Sequence, residues 1–131
     1  SDNMADEVKI YDYFEGDNLI ERWMDAIGSR PKAKLTSILN NLRQVKLQHW
    51  HTYPTVEKLK GENDLWEIKA FSADVRWRPL GMFGPGEQSF TLLVGAIEKD
   101  RILLPLTVIT TAHQRKGNVR RNPDAYRRLH E

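Results

Sequence analysis

From Leu65 to Ile97 the chain carries three strand-like segments in close succession, joined by connections too short for helices. Leu65 to Phe71 alternates apolar and polar side chains, Val75 to Pro79 alternates again, and Ser89 to Ile97 is nearly all apolar, as in a strand covered on both faces. Short connections decide how such strands pair. Parallel neighbours need a crossover of roughly a dozen residues, whereas antiparallel strands close through as few as two. Ala73-Asp74 fits a tight hairpin turn, and Gly81 to Gly86, with Pro85, fits a longer loop. The three segments therefore predict a meander.

Upstream, Val8 to Phe14 is a run of β-branched and aromatic residues that stops at Glu15-Gly16-Asp17, which predicts a first strand and a turn. Asn18 with Glu21 three residues later resembles a capping box. Ile20, Trp23, Met24 and Ile27 then follow at helical spacing up to Gly28. Pro31 suits the first position of a second helix, whose stripe is Leu35, Ile38, Leu39 and Leu42. A helix hairpin joined at Gly28-Ser29-Arg30 results, and its Ile20/Trp23/Ile27 stripe is core. Between Lys46 and Asp64 the pattern is irregular and holds Pro54 and Gly61, so a loop or extended connection is expected. From Leu106 to Lys116 β-branched residues argue against a helix, while Ala112, His113 and Arg115 resemble a helical end. The order β-α-α-β-β-β plus a C-terminal segment predicts an α+β fold: a small antiparallel sheet packed against an N-terminal helix hairpin.

A chain of 131 residues fits one domain, here residues 1–116 followed by a basic C-terminal tail, 117–131. The absence of cysteine excludes disulfides, thiolate nucleophiles and cysteine-based zinc sites. No apolar run approaches the ~18–20 residues of a membrane span. The start, Ser1-Asp2-Asn3-Met4, is acidic and polar rather than a basic-then-apolar signal, so a cytoplasmic protein with no membrane partner is expected. The net charge of +2 hides a polarity. Residues 1–30 hold eight acidic and three basic side chains, residues 31–112 eight and eleven, and residues 113–131 two and six. A basic C-terminal half points to an anionic partner, of which nucleic acid is the commonest. His49-Trp50-His51 puts two imidazoles on one side of an extended segment, but no third ligand has the spacing a metal needs, so neither metal nor cofactor is expected. Gly81 to Gly86 lacks a phosphate-loop pattern.

Several fragments, in order, resemble the HigB-type, phage-derived toxin family of the RelE/ParE superfamily. Trp23-Met24-Asp25-Ala26-Ile27 is similar to its Trp-Leu-x-x-Leu, and Pro31-Lys32-Ala33-Lys34 to the entry of its second helix. Lys58-Leu59-Lys60-Gly61, Leu65-Trp66-Glu67-Ile68-Lys69 and Val75-Arg76-Trp77 resemble Lys-Leu-x-Gly, Leu-Trp-Glu-Leu-Arg and Tyr-Arg-Val/Leu. Leu92 to Lys99 is similar to Leu-Leu-x-x-Phe-x-Lys-Lys, and Pro105 and Ala112/Arg115 stand where the family has Thr-Pro and Ala-x-x-Arg. The resemblance spans residues 8–116. Two departures matter: Glu98 replaces one lysine of the Lys-Lys pair, and Arg78-Pro79-Leu80-Gly81 replaces an aromatic after the arginine strand.

The resemblance implies a metal-independent endoribonuclease, the toxin of a toxin–antitoxin module, which cuts messenger RNA on the ribosome and is held by a cognate helix-turn-helix antitoxin. A ParE-like, non-enzymatic inhibitor of a topoisomerase and a phage-derived homologue without toxicity are the alternatives. Attack by a 2′-hydroxyl on the neighbouring phosphodiester needs a base, charge stabilisation at the phosphorane and a proton for the leaving oxygen, and lysine and arginine supply the second. Period-2 alternation puts Glu67 and Lys69 on one face of their strand, and Arg76 and Arg78 on one face of the next, opposite Trp66, Ile68 and Trp77. Arg76 is the expected phosphate ligand and Lys69 the second positive group. His113 is the nearest acid/base candidate and Glu67 the fallback. Lys58, Lys60, Arg78, Lys99 and Arg115 are the expected RNA contacts.

Overall fold

The structure, a computed structural model, describes residues 7–131, so Ser1 to Met4 lie outside it. Strand β1 (Lys9–Tyr13) leads into helix α1 (Leu19–Ala26), where the Asn18 side chain accepts a hydrogen bond from the Glu21 backbone N–H at 2.8 Å. That bond satisfies one of the donors a helix start leaves open. Gly28, at φ +103, turns the chain into α2 (Ser29–Arg43), and Pro31 sits within the first helical turn, where its missing N–H costs nothing. The segment after α2 is not wholly irregular. It holds a 3-10 helix, Leu47–Thr52, and a short strand β2 (Val56–Lys58).

Strands β3 (Trp66–Ile68) and β4 (Ala70–Ser72) pair with β6 (Leu80–Phe83) and β5 (Val75–Trp77) in a single uninterrupted register: Trp66 faces Gly81, Glu67 faces Leu80, Ala70 faces Trp77 and Ser72 faces Val75. Ala73 and Asp74 make the turn at φ 52 and 64, the left-handed pair that matches the twist of a two-residue hairpin. Strand β7 (Ser89–Val94) pairs with β6, and β8 (Ile97–Lys99) with β5. The ribbon divides at Arg78-Pro79, and just beyond, between Leu80 and Gly81, the β6–β7 ladder slips. One half continues into a six-stranded sheet. The other joins β9 (Ile102–Leu104), which follows β8 through a second left-handed pair, Asp100-Arg101, in a four-stranded sheet.

The sheet is not wholly antiparallel, as the sequence led us to expect, because β1 lies parallel to β7, with Ile10 beside Phe90. The helix hairpin and the meander intervene between them, giving the long crossover that a parallel pair requires. Adjacent residues of a strand point to opposite faces. Asp12 meets Asn18 on the α1–α2 side, whereas Tyr13 meets Asn118 and Arg115 of α3 (Val108–Arg121), so the two helical layers cover opposite faces. Val108, Ala112 and Val119 of α3 are buried, and that burial outweighs the weak helix propensity of its β-branched start. Residues 117–131, read in sequence as a basic tail, comprise the end of α3, a short α4 (Pro123–Tyr126) and β10 (Arg127–Leu129). Strand β10 pairs with β1, and His130 fastens it: its Nδ1 lies 2.8 and 3.0 Å from the buried Asp12 carboxylate.

No helix among the described residues is long and apolar enough to cross a membrane. The core on the helix-hairpin side gathers Ile10, Ile20, Met24, Leu35, Leu39, Leu42, Trp50 and Phe90. Trp23 presses its indole onto the backbone at Gly95, leaving no room for a Cβ. Replacing Gly95 by Ala should therefore cost about 1–3 kcal/mol by overpacking against the Trp23 ring, which also meets Trp77 edge-on. Urea denaturation should show the loss as a lower midpoint; an unchanged midpoint would mean that α1 does not seat on this strand.

Candidate functional site

Because β3–β4 and β5–β6 share one register, Glu67, Lys69, Arg76 and Arg78 emerge on the same face of the sheet, the face that also carries α3. Two further carboxylates join them. Glu57 stands directly across from Glu67 on β2, and Glu98 across from Arg76 on β8. The lysine missing from the Lys-Lys pair is thus replaced by a carboxylate within the cluster itself.

Arg78 is the centre of this group, only 8% exposed. Its Nη1 donates to the carbonyls of Trp77 and Ala70 at 3.0 and 3.2 Å. Its Nε lies 3.5 Å from Glu98 and 3.9 Å from Glu67, and makes no hydrogen bond. The guanidinium therefore ties β4, β3 and β8 together rather than reaching outward for a phosphate. Lys69 is held by Glu57 at 2.8 Å, with both side chains well exposed. A pair so placed is weak, so an incoming phosphate can displace Glu57 at a cost of about 1 kcal/mol or less. Arg76 is exposed, rests over the Phe71 ring at 5.9 Å and forms no ion pair among the described residues.

Burial pushes the pKa of Glu67 above the ordinary glutamate value; Arg78 pulls it back, while the charges of Glu57 and Glu98 push it further up. A carboxyl with raised proton affinity beside two cations can take a proton and release it again.

The remaining predicted residues are spread over the molecule. His113 does not join the cluster; its Nε2 lies 2.7 Å from Glu62. It belongs to a clamp in which Lys116 donates to the Asn63 carbonyl and Arg120 meets Asp64 at 3.0 Å, fixing α3 to the loop before β3. Burial lowers the pKa of Lys116, with neighbouring Arg120 acting in the same direction. Arg115 is half-buried on the Tyr13 ring at 4.9 Å and donates to the Leu93 carbonyl at 2.9 Å. Tyr13 itself has its pKa pushed up to about 12, first by burial and then by its bond to Glu15. Lys58 shares the face of Trp66, its cross-strand neighbour, and so lies on the other side of the sheet from Glu67. Lys60 and Lys99 are exposed.

Comparison of the chain with protein-family models, curated proteins and solved structures finds no match in any of the three. Among the described residues, no three histidine, aspartate or glutamate side chains stand together as a metal site. His49-Trp50-His51 lies on the 3-10 helix rather than an extended segment, so the two imidazoles do not share a side; Trp50 is core, and the His51 ring meets Trp66 at a tilt, 4.9 Å between centroids. Sequence reasoning missed Glu57, which sits in a stretch without readable periodicity. It noticed Glu98 but not the contact with Arg78, since nothing local pairs β5 with β8.

The raised pKa of Glu67 makes its ionisation a cost to the fold. The protonated carboxyl is the form favoured by folding, so this contribution is complete below the ordinary glutamate pKa of 4.5 and is lost as pH rises through the higher folded value. Glu67→Gln should then unfold at higher urea than the parent at pH 7, with the difference disappearing at pH 4. A variant less stable at pH 7 would mean that the pairing with Arg78 outweighs the burial.

Proposed function

We propose that this chain is a HigB-type toxin of the RelE/ParE superfamily, a metal-independent endoribonuclease acting on messenger RNA at the ribosome in the cytoplasm. The observation that carries the reading is the hairpin register that sets Glu67, Lys69, Arg76 and Arg78 on one face, the first three at positions matching the family's motifs. The element order, with a helix hairpin between the first strand and the meander, supports it.

In this reading Glu67 takes the proton of a 2′-hydroxyl, and the freed oxygen attacks the adjacent phosphorus. Charge gathers on the phosphorane oxygens, where Arg76 and the ammonium of Lys69 face it. The 5′-oxygen departs with a proton from solvent, leaving a 2′,3′-cyclic phosphate and a 5′-hydroxyl. Glu67 replaces His113 in the acid/base role because the imidazole is engaged by Glu62. Arg78 orients Glu67 rather than touching RNA. A helix-turn-helix antitoxin is the proposed partner, covering the face with an acidic or apolar segment, while the acidic first 30 residues meet its basic module.

One observation favours a second reading. Lys69 and Arg78 each face a carboxylate, which suits a protein-binding face such as that of a topoisomerase inhibitor better than a bare phosphate clamp. Induced expression separates the two. The ribonuclease reading expects growth arrest with messenger RNA cut inside translated regions. Arg76→Ala should lower cleavage about 100-fold or more while changing stability by no more than about 0.5 kcal/mol. Arrest with intact transcripts and DNA breaks would instead favour the inhibitor.

A further inference from the structure

Among the described residues six non-glycine residues hold a positive φ, and four of them form the hairpin turns Ala73-Asp74 and Asp100-Arg101. The other two are Asp64 (φ 45) and Gln88 (φ 53), which end the loops ahead of β3 and β7. Asp64 ends the hairpin loop closed by the Leu59 N–H and the Leu65 carbonyl, and Gln88 the one closed by the Gly84 N–H and the Ser89 carbonyl. Both line one groove of about 630 Å³, bounded by the 3-10 helix, β2, β3 and β6.

The groove's wall is a ladder of aromatic rings running out of the core. Buried Phe90 meets Phe83 edge-on at 5.2 Å, Phe83 meets Trp66 at 5.0 Å, and exposed His51 closes the series 4.9 Å from Trp66 and 5.0 Å from Phe83. The outermost ring is thus exposed and tilted against two others, at 56° to Trp66 and 45° to Phe83. The amides of Gln48 and Gln88, each donor and acceptor, flank it. Lys58 also lines the groove and donates only to the carbonyls of Glu62 and Leu59, so its charge faces no carboxylate. The carboxylate of Asp64 is turned to Arg120 and the Trp66 indole N–H, which offsets its repulsion of an anion.

We propose that this groove binds an unpaired nucleobase of single-stranded RNA, stacked on His51, read at its edge by Gln48 and Gln88, with the adjoining phosphate at Lys58. Stacking platforms beside a cation are the general means of holding single strands. The proposal rests on the RNA reading above but uses other residues. Glu57 and Lys58 are neighbours on β2, the edge strand of the six-stranded sheet, and point to opposite faces. A strand of RNA that crosses this one edge passes from the Glu67 cluster to the groove.

The test follows the Trp66 indole N–H resonance in the full chain, titrated with a 2′-O-methyl hexanucleotide that cannot be cleaved by 2′-attack. The hexamer should move the resonance saturably, and an abasic hexamer of equal charge should not. His51→Ala, at an exposed position, should weaken binding at least about fivefold, whereas Lys34→Ala, which removes an exposed cation of α2, should leave the shift intact. Equal shifts from both hexamers, or unchanged affinity in His51→Ala, would overturn the proposal. Adenosine monophosphate binding as tightly as the hexamer would overturn the assignment to a strand. Base-dependent binding without any RNA cleavage by the wild type would sink the nuclease reading alone; cleavage without base-dependent binding would sink this one alone.

Discussion

The register of the hairpin that turns at Ala73-Asp74 is the constraint on which the rest of the site depends. A slip of one residue would exchange the faces of a whole strand. Glu67 and Lys69 would then point into the helix-hairpin core, and Trp66, Ile68 and Ala70 would face α3. The burial of those three residues, together with the left-handed φ of both turn residues, opposes that slip. Alanine gains nothing from a left-handed conformation, so the turn is held by the pairing on either side of it rather than by its own preference. The same register carries Arg78 to the point where it can tie β4, β3 and β8.

Charge on this face is divided between structure and chemistry. Arg78, desolvated and bonded to two backbone carbonyls, has little freedom to move, and removing it would strand Glu67 and Glu98 beside each other. Lys69 and Arg76 lie further out, one weakly paired and one unpaired among the described residues. The outer cations are thus the ones free to meet a ligand, while the inner one partly offsets the rise in proton affinity that burial gives Glu67. The carboxylates also keep the face near neutrality until an anion arrives, which limits indiscriminate binding to other polyanions.

What the sequence disclosed was local. The Asn18 cap, the two helical stripes and the Ala73-Asp74 hairpin are each decided by neighbours within a few residues, and all were readable. The parallel seat of β1, the contact of Glu98 with Arg78 and the capture of β10 by Asp12 and His130 join residues far apart in the chain, and no local pattern encodes them. Strand β2 is three residues long in a stretch with no periodicity, so its alternation, and with it the placement of Glu57 and Lys58 on opposite faces, was hidden. Helix α3 was ambiguous because its first turn is β-branched and only tertiary burial decides it. Four of the candidate residues came together as expected because one hairpin holds them. His113, Lys58 and Arg115 did not, since their positions depend on how other elements dock on that hairpin.

The central claim is that Glu67, held by Arg78, moves a proton at a phosphodiester bordered by Lys69 and Arg76. The most direct measurement is the end chemistry of RNA cut on ribosomes programmed with a defined message, by purified protein in the presence of a chelator. The account predicts 2′,3′-cyclic phosphate and 5′-hydroxyl ends, formed by the parent and lost in Glu67→Gln while that variant remains folded. Intact message, 5′-phosphate ends, or undiminished cutting by Glu67→Gln would contradict it.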